Sequence, residues 1–424
     1  MTPDSLSARV RKWGTNPRAR LSAGILAMPH SAAKLVFWGV RGSTPTLDRD
    51  TWRYGGNTPC LDFTAPGGTR FILDCGTGLR MLGNHWGQVL GERPIEATVL
   101  VTHYHWDHIQ GIPFFHPFFE PQNRFHFFSF QSKHLGRDTL RQVLEDQLAS
   151  PYFPVDVSMM SAARDFREIS GGDQFEIHGT RITARWLNHP QGCLGYRLET
   201  PAGTIVYATD NEPGVPELDD SLRQLAAGAD VYIHDAQYSP EQVASSRKGW
   251  GHSSWLEGVK VARESGAKNL VLFHHDPDSP DKTVDGFLQA ARQEFPATWA
   301  AMEGMVMSLA DKKVEVELRD TRASQRRPLH FPATVTGQSE DGRPFEEKAM
   351  VQDLSLHGAF LCLGHRPRLQ SEVKVVVEMG GDRNPAGALA LRATVVHREV
   401  GPGKEQTGVG IVFIDEAEAG RTRD

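Results

Sequence analysis

At 424 residues the chain exceeds one ordinary core, so a larger and a smaller domain are expected. With 39% hydrophobic and 23% charged residues it has the composition of a soluble globular protein, and no apolar run approaches the ~18–20 residues of a membrane span. A net charge of -6 gives no overall pull on a polyanion, which argues against stable nucleic-acid binding; four scattered cysteines, Cys60, Cys75, Cys193 and Cys362, form no disulfide scaffold and suit a reducing cytoplasm.

Residues 1–33 are basic and irregular and read as a disordered lead. The first strand pattern follows soon after Met28, which is therefore an alternative start of translation; peptides from residues 1–27 in the native protein would refute that start. From 34 to 318 short β-branched runs alternate with helical patterns, as expected of a layered α/β domain. Strands are expected at 35–40, 70–73, 98–102, 175–178, 182–187, 195–199, 204–209, 231–234 and 270–273, and helices at 135–148, 254–264 and 284–294. Residues 114–169 are rich in Phe and Pro with poor periodicity, and read as an insertion that covers the site. A charged arm at 319–327 precedes strands alone, at 331–336, 349–352, 359–362, 373–378, 391–396 and 409–414, so 319–424 is expected to be a small all-β barrel or sandwich.

The densest chemistry is residues 101–108, Val-Thr-His-Tyr-His-Trp-Asp-His, just after an apolar strand. Imidazole and carboxylate suit zinc and similar divalent ions, and His103, His105, Asp107 and His108 can be aimed into one cavity by a tight turn at a strand end. The alternative is a polar surface loop.

This segment resembles the HxHxDH signature of the metallo-β-lactamase superfamily, and the resemblance extends over roughly residues 34–310. It implies an αββα sandwich with two metals at one edge. His103, His105 and His189 would hold the first, Asp107, His108 and His274 the second, and Asp210 would bridge them. His275 competes with His274 for its place. Asp74, in Leu-Asp-Cys-Gly-Thr-Gly, resembles a carboxylate that orients a ligand imidazole; it could equally tie down the glycine-rich turn. Zinc is favoured, with manganese or iron also compatible.

Residues 233–238, Ile-His-Asp-Ala-Gln-Tyr, and 249–253, Gly-Trp-Gly-His-Ser, are similar to paired motifs of the ribonuclease Z-like phosphodiesterase branch. That likeness implies Asp235 as the orienting carboxylate and His252 as the general acid that a basic leaving alkoxide needs. The plainer roles are a strand-end carboxylate and a helix cap. Residues 39–44 and 53–58 also resemble this branch, so Arg41, Ser43 and Asn57 either line the pocket or hydrogen-bond buried turns. The long basic exosite arm of transfer-RNA processing enzymes is missing, which favours a small or short phosphodiester.

Arg322 and Arg326 in an RxxxR spacing, with Asp353, Ser355 and Gly358 in a DxSxxG spacing, resemble the motifs of PilZ domains. The resemblance implies cyclic di-GMP as a ligand, gripped by paired guanidinium groups. The expected protein is a bacterial, cytoplasmic, dinuclear phosphodiesterase regulated by cyclic di-GMP. A messenger-responsive adaptor with a structural metal site, and a thioester or lactone hydrolase, are the alternatives; a homodimer is compatible with each.

Overall fold

The computed structural model describes residues 31–136, 139–318, 327–354, 358–378, 388–400 and 406–414. The basic lead with Met28, the arm with Arg322 and Arg326, and Ser355 lie outside them.

In chain order the first sheet receives β1 (Ala33–Gly39), β2 (Cys60–Thr64), β3 (Arg70–Leu73), β4 (Glu96–Leu100), β5 (Arg124–Phe130) and β6 (Ala163–Ile169). A second sheet then takes β7 (Gln174–Ile177), β8 (Thr180–Leu187), β9 (Cys193–Thr200), β10 (Gly203–Ala208), β11 (Val231–Asp235), β12 (Leu270–Phe273) and β13 (Thr298–Ala300). The chain returns to the first sheet as β14 (Met305–Ala310) and β15 (Lys313–Leu318), where β14 pairs antiparallel with β1. Apolar inner faces of the two sheets, including Leu35, Phe37, Phe71, Tyr196, Tyr207 and Phe273, form the central core.

Helices cover both outer faces. The helix Gly78–Leu90 buries Leu79, Leu82 and Trp86 on one stripe against the first sheet, and Pro216–Ala226 and Trp255–Ser265 pack on the second. The latter helix begins where Ser254 accepts from the Glu257 N–H and ends at left-handed Gly266. The molecule thus has the expected αββα layering.

Two expectations need correction. Residues 114–169 are not one insertion: β5 and β6 are parallel members of the first sheet. Phe125, Phe127, Phe128 and Phe130 are all buried, so β5 lacks the alternation by which a half-exposed strand is recognised. The helix expected at 135–148 is Thr139–Gln147.

The C-terminal part is a closed six-stranded barrel of β16 (Arg327–Gln338), β17 (Pro344–Leu354), β18 (Gly358–Leu363), β19 (Glu372–Glu378), β20 (Ala388–Val400) and β21 (Thr407–Phe413). Each of the six expected strands lies within or across one of these. Gly358 starts β18, where a Cβ would stand 2.1 Å from the Ile411 carbonyl oxygen, so the strand pairing itself requires a glycine there. The Asp353 backbone pairs with Phe360 in the adjoining ladder.

Candidate metal centre

Six strand ends converge at one edge of the sandwich. Asp74 follows β3, the loop 101–105 follows β4, His189 follows β8, Asp210 follows β10, Asp235 ends β11 and His274 follows β12. Apolar residues hold each strand in the core, so the first residues beyond it open onto a common cleft. Asp74, Asp210 and His274 have φ of 59°, 52° and 59°, a left-handed conformation unusual for residues with side chains and common where a site holds its backbone under constraint.

Two clusters result. His103, His105 and His189 form one, and Asp107, His108, Asp210 and His274 the other, with the potential ligand atoms of each within 4.8 Å of one another. Asp210 faces both: its Oδ1 is 3.4 Å from His108 Nε2 and 3.3 Å from His274 Nε2, and its Oδ2 is 3.5 Å from His103 Nε2 and 3.8 Å from His189 Nε2.

The imidazoles are held with lone pairs inward. His103 Nδ1 lies 3.0 Å from Thr102 Oγ1, whose proton goes to Asp74, so His103 donates there. His105 Nε2 donates to Gln191 Oε1 at 3.2 Å, His108 Nδ1 to Asp74 Oδ2 at 2.8 Å, His189 Nδ1 to the Gly251 carbonyl at 2.8 Å, and His274 Nδ1 to Gln237 Oε1 at 2.8 Å. With the outer N–H groups committed in this way, the inner nitrogens face each other: His108 and His274 Nε2 at 3.2 Å, and His105 Nδ1 and His189 Nε2 at 3.1 Å. His103 Nε2 is buried without a hydrogen-bond partner. Lone pairs opposed at this distance repel unless a cation lies between them, so the donor set fits two divalent ions with N/O ligation.

His275 is turned away. Its Nε2 donates to the Ala301 carbonyl at 2.9 Å and its ring meets Tyr54 edge-on, while burial, with the nearby Arg41 charge, pushes its pKa down to about 3. Burial likewise lowers His189 to about 4, against the pull of Asp210, and so favours its neutral, ligating form.

His252 stands beside the second cluster, stacked on His274 at 5.0 Å between centroids, with Nδ1 2.8 Å from Asp235 Oδ2. Burial opposes its charged form, but the carboxylates of Asp235, Asp210 and Asp107 together outweigh burial and raise its pKa to about 9. It caps no helix, since Ser254 does so. Gly251, with φ of 84°, has no room for a Cβ, which would stand 2.2 Å from His189 Nδ1; the bare backbone lets its carbonyl reach that ring.

Arg41 does not line the pocket. Fully buried, it donates to the carbonyls of Gly55, Thr51, Asp276 and Ser279 and to Asp281, tying together the loops behind His274. Asn57 donates to Glu303. Of that trio only Ser43 reaches the centre, its N–H donating to Asp107 Oδ2 at 2.8 Å. Sequence reasoning missed Gln191, Gln237 and Gly251; the sole hint was that Gln237 and Gly251 lie inside the two downstream motifs.

A family model described as the Beta-lactamase superfamily domain matches residues 69–275, and one for the PilZ domain matches 320–423. The chain is 24% identical to the ribonuclease BN of Erwinia tasmaniensis over 322 residues, covering 62% of this chain and 96% of that one. It is 26% identical to the ribonuclease Z of Methanopyrus kandleri over 302 residues, 60% of this chain and 94% of that one. Among solved structures, the metallo-beta-lactamase fold protein YhfI of Bacillus subtilis aligns at a TM-score of 0.49 and 20% identity, over 66% of this chain and 99% of that one. The chain therefore joins a metallo-β-lactamase superfamily domain to a PilZ domain.

Proposed function

We propose that the protein is a dinuclear metal-dependent phosphodiesterase acting on a small or short phosphodiester, with cyclic di-GMP as regulator at the C-terminal barrel. The observation that carries the reading is the His252–Asp235 pair, an imidazole held 2.8 Å from a carboxylate beside a cluster suited to a metal. A thiolate leaving group needs no proton donor, whereas an alkoxide leaving phosphorus does. Relatives named ribonuclease support the same class.

In this reading His103, His105 and His189 would hold one ion and Asp107, His108 and His274 the other, with Asp210 available to either. When bound, such ions bring water to reactivity near neutral pH and draw charge from a phosphoryl oxygen. The protein's part is orientation and proton transfer. Asp74, Gln191, Gln237 and Gly251 fix the ligand rings, Asp235 holds the His252 tautomer, and His252 delivers a proton to the leaving oxygen.

The proposed division places the hydrolase at 34–318 and the barrel with its arm at 319–424. Arg322, Arg326, Asp353, Ser355 and Gly358 are the proposed messenger-binding residues, supported by the PilZ match. Among the described residues no helix is long and apolar enough to cross a membrane, and a cytoplasmic setting fits a messenger ligand.

The test is turnover of bis(p-nitrophenyl) phosphate by metal-loaded wild type, Asp107→Ala and His252→Ala, with and without cyclic di-GMP, beside ester and thioester probes. Asp107→Ala is expected to abolish metal-dependent turnover of bis(p-nitrophenyl) phosphate, whose p-nitrophenolate leaves without a proton, and His252→Ala to lower kcat by ~10²–10⁴-fold on a dinucleoside monophosphate, whose leaving alkoxide needs one. A purely acyl profile would remove the phosphodiester reading. Messenger binding that leaves turnover unchanged, or that survives loss of Arg322 and Arg326, would remove the regulatory part.

A further inference from the structure

A cavity of about 560 Å³ opens beside the first ligand cluster, with His103 and His105 at its inner end. Its walls come from the ligand loop and from the stretch between β5 and β6. They include Trp106, Phe130 and Tyr152 with the aliphatic Leu135 and Val143. Trp106 is 73% exposed and Tyr152 82% exposed, although large aromatic side chains left in water cost free energy that partners normally recover. Tyr104 is held by its hydroxyl to the Phe130 carbonyl, and its ring centroid lies 5.1 Å from that of Phe130, which fixes the rear wall.

Charge excludes one class of occupant. Among the described residues no Lys or Arg lines the cavity, its formally anionic residue there is Asp146, and His134 is its one exposed imidazole, so the described walls offer a second phosphate no permanent counter-charge. An uncharged flat group suits these walls: it can stack on exposed rings while its polar edge meets Ser132, Gln147 or Asp146. Position then decides which arm of a phosphodiester it belongs to. His252, the proton donor, is not among the lining residues and stacks on His274 in the other cluster. The leaving arm points toward His252, and the arm that stays on phosphorus points into the cavity.

The geometry points to a nucleoside-binding subsite, formed by Trp106 and Tyr152 at the cavity mouth, that selects phosphodiesters whose retained arm carries a nucleobase. The inference rests on the phosphodiesterase reading and adds its substrate preference.

Two esters with one leaving group test it: thymidine 5′-(p-nitrophenyl phosphate) and methyl p-nitrophenyl phosphate, with full-length metal-loaded enzyme. The thymidine ester is expected to show kcat/KM about tenfold or more above the methyl ester, mostly through KM, as one base stacked on an aromatic ring would give. The readout is this ratio, in which any loss common to both substrates cancels. Tyr152→Ala and Trp106→Ala are expected to bring it toward one, and Tyr152→Phe to preserve it, because stacking needs the ring and not the hydroxyl. Turnover of both esters at a ratio near one, or a ratio that both alanine variants leave intact, overturns the subsite alone. Turnover of neither ester, with the acyl probes consumed, overturns the phosphodiesterase reading and the subsite together.

Discussion

A carboxamide oxygen sets the tautomer of the proposed ligand His274. His274 can present a lone pair at Nε2 only while Nδ1 keeps its proton, and Gln237 Oε1 at 2.8 Å holds that proton in place. Gln237→Leu is expected to weaken metal binding by ~10–100-fold, measured by chelator competition; unchanged affinity would remove the orienting role. In the proposed mechanism His252 carries the pH dependence. As a proton donor it serves while charged, so kcat is expected to hold below a pH of about 9 and fall above it. Asp235→Asn withdraws the strongest influence that raises this pKa, and the alkaline limb is expected to move to lower pH in a pH–rate profile. A limb that stays in place would separate His252 from the proton transfer.

At the scale of elements, strands are chosen for their ends as much as for their faces. β4, β8, β10 and β12 each stop just short of a proposed ligand, and β5, paired with β4, buries Phe125, Phe127, Phe128 and Phe130. One strand carries a penalty: Asp62 in β2 is buried, with only the Trp86 indole N–H, at 3.3 Å, on its Oδ2. Burial raises its pKa to about 6, above the ~3.9 of an unfolded chain. The folded state therefore prefers the protonated acid, and this contribution is present below the unfolded value and lost as pH rises through about 6. Ionisation at pH 8 costs ~3 kcal/mol on this account. Asp62→Asn keeps an acceptor for Trp86 and cannot ionise, so the variant's Tm is expected to fall less than that of wild type between pH 5 and pH 8. Equal slopes would place the pH sensitivity elsewhere.

For the whole molecule the junction between barrel and sandwich joins specific hydrogen bonds to a continuous buried apolar cluster. The Gln370 side chain pairs with the Ala300 backbone, accepting from its N–H at 3.3 Å and donating to its carbonyl at 2.7 Å. Arg292 donates to the Gln370 carbonyl, and Arg53 spans from Asp285 to Thr394 in β20. Ala300 ends β13, which is paired with β12, the strand leading to His274. Arg53 also shares Asp281 with Arg41, which braces the loops behind that ligand. These contacts give a physical route between barrel and metal centre, although a messenger shifts activity only through its differential affinity for two arrangements. Gln370→Ala leaves the buried Ala300 N–H and carbonyl unpaired and is expected to cost ~2 kcal/mol in denaturant unfolding. If the messenger acts through this face, the variant still binds cyclic di-GMP while turnover no longer responds; a full response would place the route elsewhere.

The ligand-rich loop at 103–108, the strand runs that end in His189, Asp210 and His274, and the six barrel strands were legible in the sequence because each is local. A cluster within six residues, an apolar run and an alternation are properties of neighbours along the chain. What tertiary structure decided depends on atoms far apart in sequence. Gln191 meets His105 across 86 positions and Gly251 meets His189 across 62. The same is true of the choice between His274 and His275, since their side chains leave adjacent residues in different directions and only the surrounding carbonyls and rings distinguish them. β5 stayed hidden because burial on both faces erases the period that marks a strand, and Arg41 because a guanidinium that satisfies four carbonyls from separate loops looks, in one dimension, like any cation beside a glycine. Sequence periodicity records which face a residue turns to the core; a hydrogen bond between distant loops exists only once the core has brought them together.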